Sequence, residues 1–203
     1  MSFGPIKTAG AVERGAEAVL TAWLPYYLAE AARQDGLEAG EPYPAEPRTI
    51  ETFTRPDTWM EHQLPAVIVV SPGTDGEADT DGRGRVSAWW RLGVWAVVGA
   101  SDQDATRRLA HRYAAAIRAC LVSHRTLGGV AERLTYRGER YDEAATDQAR
   151  TLTMVGVEFR VRMVDIAGQG PVVLPTPTPD PHDPWPPDPQ VTSTHINTTG
   201  EAP

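Results

Sequence analysis

Apolar residues recur at three- and four-residue spacing between Ala11 and Arg33, and that spacing predicts the first helix. Val12, Ala16, Val19, Leu20, Trp23, Tyr27, Leu28 and Ala31 make up its expected buried stripe. Pro25 falls inside the run. Proline removes a backbone donor and crowds the preceding turn, so a kink or a restart is expected there. Gly36 supplies a stop, because glycine accepts the left-handed conformation that closes a helix. From Leu37 to Trp59 the chain is rich in Pro and Glu, with a short strand expected at Thr49–Phe53.

The period then changes. Leu64–Ser71 is a continuous apolar run dominated by β-branched residues, which predicts a strand buried on both faces. A polar, glycine-punctuated loop follows it. Val86–Val98 alternates at first, with Arg85, Ser87 and Arg91 opposite Val86, Ala88, Trp90, Leu92 and Val94. Further on, Trp95 and Val97 occupy the formerly polar side, so cover on both faces is expected there. Gly93 marks a bend or bulge. Ser101 is expected to open a second helix, with Asp104 placed for a capping box. Its stripe is Ala105, Leu109, Tyr113, Ala116, Ile117, Cys120 and Leu121, with Arg107, Arg112 and Arg118 toward the other side.

Val130–Tyr136 predicts a short strand, and RGERYDEAATDQAR reads as a charged connection too long for a tight hairpin. Thr151–Asp165 is the clearest strand. Val155, Val157, Phe159, Val161 and Met163 face one way, and Glu158, Arg160 and Arg162 face the other. The expected fold is therefore α+β, a mainly antiparallel sheet of about four strands with two principal helices on one face.

Composition divides the chain. Residues 168–203 hold 10 of the 18 prolines, four of the 27 acids and none of the 19 Lys and Arg. Such a stretch cannot build a core, and an extended polyproline-like arm is expected there, following a domain at 1–167. The net charge of −8 argues against a nucleic-acid coat, which would carry a basic stripe. Cys120 is the single cysteine, and its apolar helical neighbours point to a buried, inert thiol. No run approaches the ~18 apolar residues of a membrane span. The N-terminus lacks the apolar segment of a signal peptide, so a soluble protein made in a cytoplasm is expected.

Candidate chemistry is sparse. Asp75, Glu77, Asp79 and Asp81 invite a calcium reading, but an EF-hand loop needs a Glu at its twelfth position. Counting from Glu77 puts Ala88 there, inside a predicted strand. His62, His111, His124, His182 and His195 have no metal-ligand spacing, and neither a G-x-S-x-G elbow nor a phosphate-loop pattern occurs. No catalytic, cofactor or metal residue is assigned, and the expectation is a protein that is not an enzyme. The aromatic and charged residues of the sheet stand out instead. Trp89 shares its side with Arg91, a composition common at interfaces, and Trp95 follows on the same strand. With Glu158, Arg160 and Arg162 they form a candidate subunit or partner interface. Trp185, set among prolines, is a candidate docking residue in the arm.

The element order resembles a known family. AVLTAWLPYYLAEAARQDGL leads to LPAVIVVSPG, then RVSAWWRLGVWAVVGAS runs into DATRRLAHRYAAAIRACLV, and ARTLTMVGVEFRVRMVDI closes the domain. Over roughly residues 10–166 this pattern is similar to the tail terminator, or tail-completion, proteins of long-tailed phages that infect actinobacteria. The resemblance implies a homo-oligomeric ring, usually hexameric, on the tail tube at the tail–neck junction of the virion. It would contact the tail tube protein and a neck or head-completion protein, with DNA passing through and no sequence-specific nucleic-acid or membrane binding. It implies no catalytic residues and no cofactor. Other readings stay open. The chain could be another neck component (head-completion or stopper), a small ligand-binding or enzymatic domain, or an adaptor recruiting an aromatic-grooved partner through its arm.

Overall fold

The computed structural model describes residues 7–36, 44–52, 63–100, 102–147 and 150–166. The Trp185 expectation and the whole proline-rich segment lie outside these residues, as does Phe53. Two helices and six strands are described. They are α1 (Ala9–Asp35), β1 (Thr49–Thr52), β2 (Ala66–Thr74), β3 (Asp79–Thr80), β4 (Val86–Ala100), α2 (Gln103–Ser123), β5 (Arg133–Asp147) and β6 (Arg150–Val164). The strands form one mixed sheet in the order β1-β2-β4-β6-β5, with β3 on β4. β1 runs parallel to β2 and every other pairing is antiparallel. The α+β class holds, and β1 and the two-residue β3 bring the strand number above four.

Both helices lie on one face of the sheet. Val67 and Val69 of β2, Leu92, Val94, Ala96 and Val98 of β4, and the alternating set Val155 to Met163 of β6 meet Leu20, Leu24, Tyr113, Ile117 and Leu121 in a single core. In α1 the buried line runs at intervals of four, through Val12, Ala16, Leu20, Leu24, Leu28 and Ala32. The expected stripe holds at Val12, Ala16, Val19, Leu20 and Leu28 and departs at Trp23, Tyr27 and Ala31, which are not fully buried. Leu24 is fully buried while Trp23 is 48% exposed. The helix also runs unbroken through Pro25. The carbonyl that Pro25 cannot serve belongs to Thr21, an exposed residue, so solvent can satisfy it while Leu24 and Leu28 hold the helix down.

The start of α2 differs from the expected capping box. Asp102 is the N-cap, and its carboxylate accepts from the Ala105 amide at 2.8 Å. The Thr106 hydroxyl donates to the Asp102 carbonyl and accepts from the Ala100 amide, tying the helix to the end of β4. Arg112, expected on the outer side, is 5% exposed. It reaches across to α1, where its Nε donates to Asp35 at 2.8 Å. A buried guanidinium is tolerable only with such a partner.

The largest correction concerns the charged stretch after Tyr136. It is no connection but the outer half of β5, which pairs with β6 along almost its whole length. A register shift between Tyr136 and Gly138 puts one extra residue, Arg137, into the strand. The bulge reverses the phase of the alternation, so no single period of two runs through β5. As an edge strand it also carries charges, which discourage pairing with another sheet. A second shift, between Val70 and Gly73 of β2, lies opposite Gly93 and Arg91, so the irregularity expected at Gly93 falls on its partner strand.

Candidate functional site

None of the described helices or strands packs on the sheet face opposite the helices. The alternation of β4 sends Trp89, Arg91, Gly93 and Trp95 to it. β6 contributes Gly156, Glu158, Arg160 and Arg162. Register brings these into rows, with Trp89 opposite Arg162, Arg91 opposite Arg160, Gly93 opposite Glu158 and Trp95 opposite Gly156. β5 extends the rows with Arg133 beside Arg162 and Arg140 beside Gly156. All six residues of the sheet singled out from the sequence therefore share one surface.

Two of these rows place arginine directly against arginine, an arrangement that costs stability by itself. Trp89 offsets part of the cost. The guanidinium carbons of Arg160, Arg133 and Arg162 lie 4.6, 5.2 and 5.8 Å from its ring centroid, within the range where a π face attracts a cation. Carboxylates at the margins do the rest. Asp75 lies 2.6 Å from Arg160, Glu132 3.0 Å from Arg162, and Glu158 3.2 Å from Arg140. The Nε–H groups of Arg160 and Arg162 are not aligned on these oxygens, so both contacts act through charge more than through directed hydrogen bonds. Arg91 and Arg133 have no carboxylate partner among the described residues. In a chain of net charge −8, this face carries a local excess of arginine.

The ring of Trp95 lies flat on this surface. A Cβ built on Gly156 would sit 2.5 Å from the six-membered ring, and one on Gly93 would sit 3.1 Å from Nε1. The two glycines are thus the floor on which the indole rests. Beside it, Val70, Asp75, Arg91, Arg140 and Arg160 border an open groove of about 490 Å³.

The sequence reading missed Arg133, Arg140, Asp75 and Glu132. The first two fall on β5: Arg133 in its short, weakly patterned first part, and Arg140 beyond the bulge that hid the alternation. The last two come from a loop and a strand end, where sequence carries no signal of the partner across the sheet. Elsewhere, burial pushes the Cys120 thiol from 9.0 up to about 12 and raises the Tyr113 phenol, whose hydroxyl donates to the Ala45 carbonyl. A thiol so raised stays protonated and is a poor nucleophile. Among the described residues, no group of three or more His, Cys, Asp or Glu could hold a metal ion. No described helix is long and apolar enough to cross a membrane.

Fold and face together define a mixed-sheet α+β domain with one helix-covered side and one tryptophan–arginine side. No protein-family model matches the chain, and the comparison with curated proteins finds no relative.

Proposed function

We propose that this protein is a virion structural component, a tail terminator that forms a ring at the head-proximal end of a phage tail tube. The ring ends tube polymerisation and joins the tail to the neck. The mechanism is steric. Subunits occupy the growing end and present a different surface above it, so neither catalysis nor a cofactor enters.

The observation that supports this reading is the tryptophan–arginine face. Its centre is rigid, with β4 and β6 paired from Ser87↔Val164 to Ala100↔Thr151. Large rings and arginines in fixed positions are the composition of protein interfaces. The ring of Trp89 is already covered by guanidinium groups, which leaves it poorly placed to stack a nucleic-acid base. A closed ring built by head-to-tail contacts needs two different surfaces on each subunit, and this face supplies one of them.

Negative-stain electron microscopy of the purified chain tests the assembly. Closed rings are expected, and Arg160→Glu is expected to abolish them while leaving the circular dichroism spectrum unchanged. A chain that stays monomeric at high concentration, or rings that survive Arg160→Glu, would contradict the role given to this face.

A further inference from the structure

A second surface, on the helix side, carries its own signal. Trp23, Tyr26 and Tyr27 stand at i, i+3 and i+4 spacing on α1 and share one side of it. Trp23 is 48% and Tyr26 62% exposed. Large aromatic side chains gain most from burial, so two of them in solvent on one helix mark a contact surface.

The rings are held in place. His124, the C-cap of α2, stacks on Trp23 with centroids 5.1 Å apart at 27° and meets Tyr27 edge-on at 6.2 Å and 89°. Its own Nδ1–H donates to the Cys120 carbonyl at 2.9 Å, which fixes the imidazole. Tyr26 stands edge-on to Tyr27, at 5.3 Å and 85°. Rings set crosswise make ridges and slots, not a flat patch. The Trp23 indole N–H has no hydrogen-bond partner among the described residues and is free to donate.

We propose that this aromatic row docks an extended proline-rich segment, and that its occupant is residues 174–189 of a second copy of the chain. Aromatic ridges with a free indole donor recognise polyproline-type chain, whose rings fill the slots and whose carbonyls lack internal partners. The chain itself carries such a segment. Thirty-seven residues follow Ile166, and between 174 and 189 lie eight prolines, three Asp and no Lys or Arg. At about 3.1 Å per residue an extended proline-rich segment of this length spans roughly 50 Å, enough to reach a neighbouring copy. Arg125, exposed and next to His124, suits the acidic character of the segment. The inference goes beyond the tail-end reading, since it concerns how copies are linked whatever the assembly does.

The test uses the full-length chain and a fluorescently labelled synthetic peptide of residues 174–189. At concentrations where the chain is monomeric, saturable binding by fluorescence polarisation is expected. Trp23→Ala and Tyr26→Ala are each expected to weaken it about ten-fold or more, with helix content unchanged. A peptide with alanine in place of Pro175, Pro177, Pro179 and Pro181 is expected not to bind. In sedimentation equilibrium the same two variants, or excess unlabelled peptide, should weaken self-association in parallel. Absence of peptide binding, or binding indifferent to both variants, would overturn the site. Peptide binding combined with self-association indifferent to the variants and to the peptide would overturn the second copy as occupant.

Discussion

The indole of Trp95 rests on Gly156, its register partner across β4 and β6, so closely that a Cβ there would lie 2.5 Å from the ring. Glycine in mid-strand ordinarily weakens a sheet. Here it makes room for an aromatic that covers the backbone of two strands. Gly156→Ala is therefore expected to destabilise the protein by about 1–3 kcal/mol, the range for overpacking a filled site. In a Trp95→Leu background the same change should cost far less. Urea denaturation of the four chains decides it, and a Gly156→Ala effect that is equal in both backgrounds would contradict the packing described.

Trp89 and Arg160 should be coupled energetically, because the guanidinium lies 4.6 Å from the ring centroid. A double-mutant cycle with Trp89→Leu and Arg160→Met is expected to give about 0.5–1 kcal/mol of coupling. Since Arg160 is part of an ion pair with Asp75 as well, Asp75→Asn in the Trp89→Leu chain separates the two contributions. Strict additivity of Trp89→Leu and Arg160→Met would remove the ring from the account.

Adjacent residues on α1 should behave in opposite ways. Leu24 is fully buried, and Leu24→Ala should cost about 2–5 kcal/mol, as methyl deletions in a closed core do. Trp23, although larger, is half-exposed, and Trp23→Ala should cost only about 0.5–1 kcal/mol. Thermal denaturation of the two variants reads this directly. A reversal of the order would mean that the buried line of α1 has been placed wrongly.

Stability should fall in alkali. Burial raises Cys120 from 9.0 to about 12, and burial together with the hydrogen bond to Glu139 raises Tyr141 from 10.0 to about 12. Between the two values the folded chain keeps protons that the unfolded chain has lost, so unfolding is favoured as pH rises. The contribution of Cys120 is thus complete below about pH 9 and is lost progressively as pH approaches 12. Denaturation midpoints measured from pH 8 upward should decline, and Cys120→Ala should make the decline shallower. An unchanged slope in that variant would place the cause elsewhere.

Much of this fold was legible because its periods are clean. β6 alternates without interruption from Val155 to Met163, and all five of the residues read there as inward are buried. Elsewhere a local device breaks the period. One extra residue at Arg137 turned a 15-residue strand into what resembled a charged loop. In α1 Trp23 and Leu24 sit side by side, and hydrophobicity alone favours the larger ring, although the smaller side chain fits the core. The candidate face was legible only in part. Alternation placed Trp89, Arg91, Trp95, Glu158, Arg160 and Arg162 on one side of their strands, but which strands adjoin is a matter of topology. Nothing along the chain therefore signals that Arg133 reaches Trp89 or that Asp75 closes on Arg160.

The proposed capping of a tail tube is tested most directly by disrupting the gene and examining the resulting lysates by electron microscopy. The account predicts overlong, headless tails beside filled heads. Particles of normal tail length and normal infectivity would contradict it.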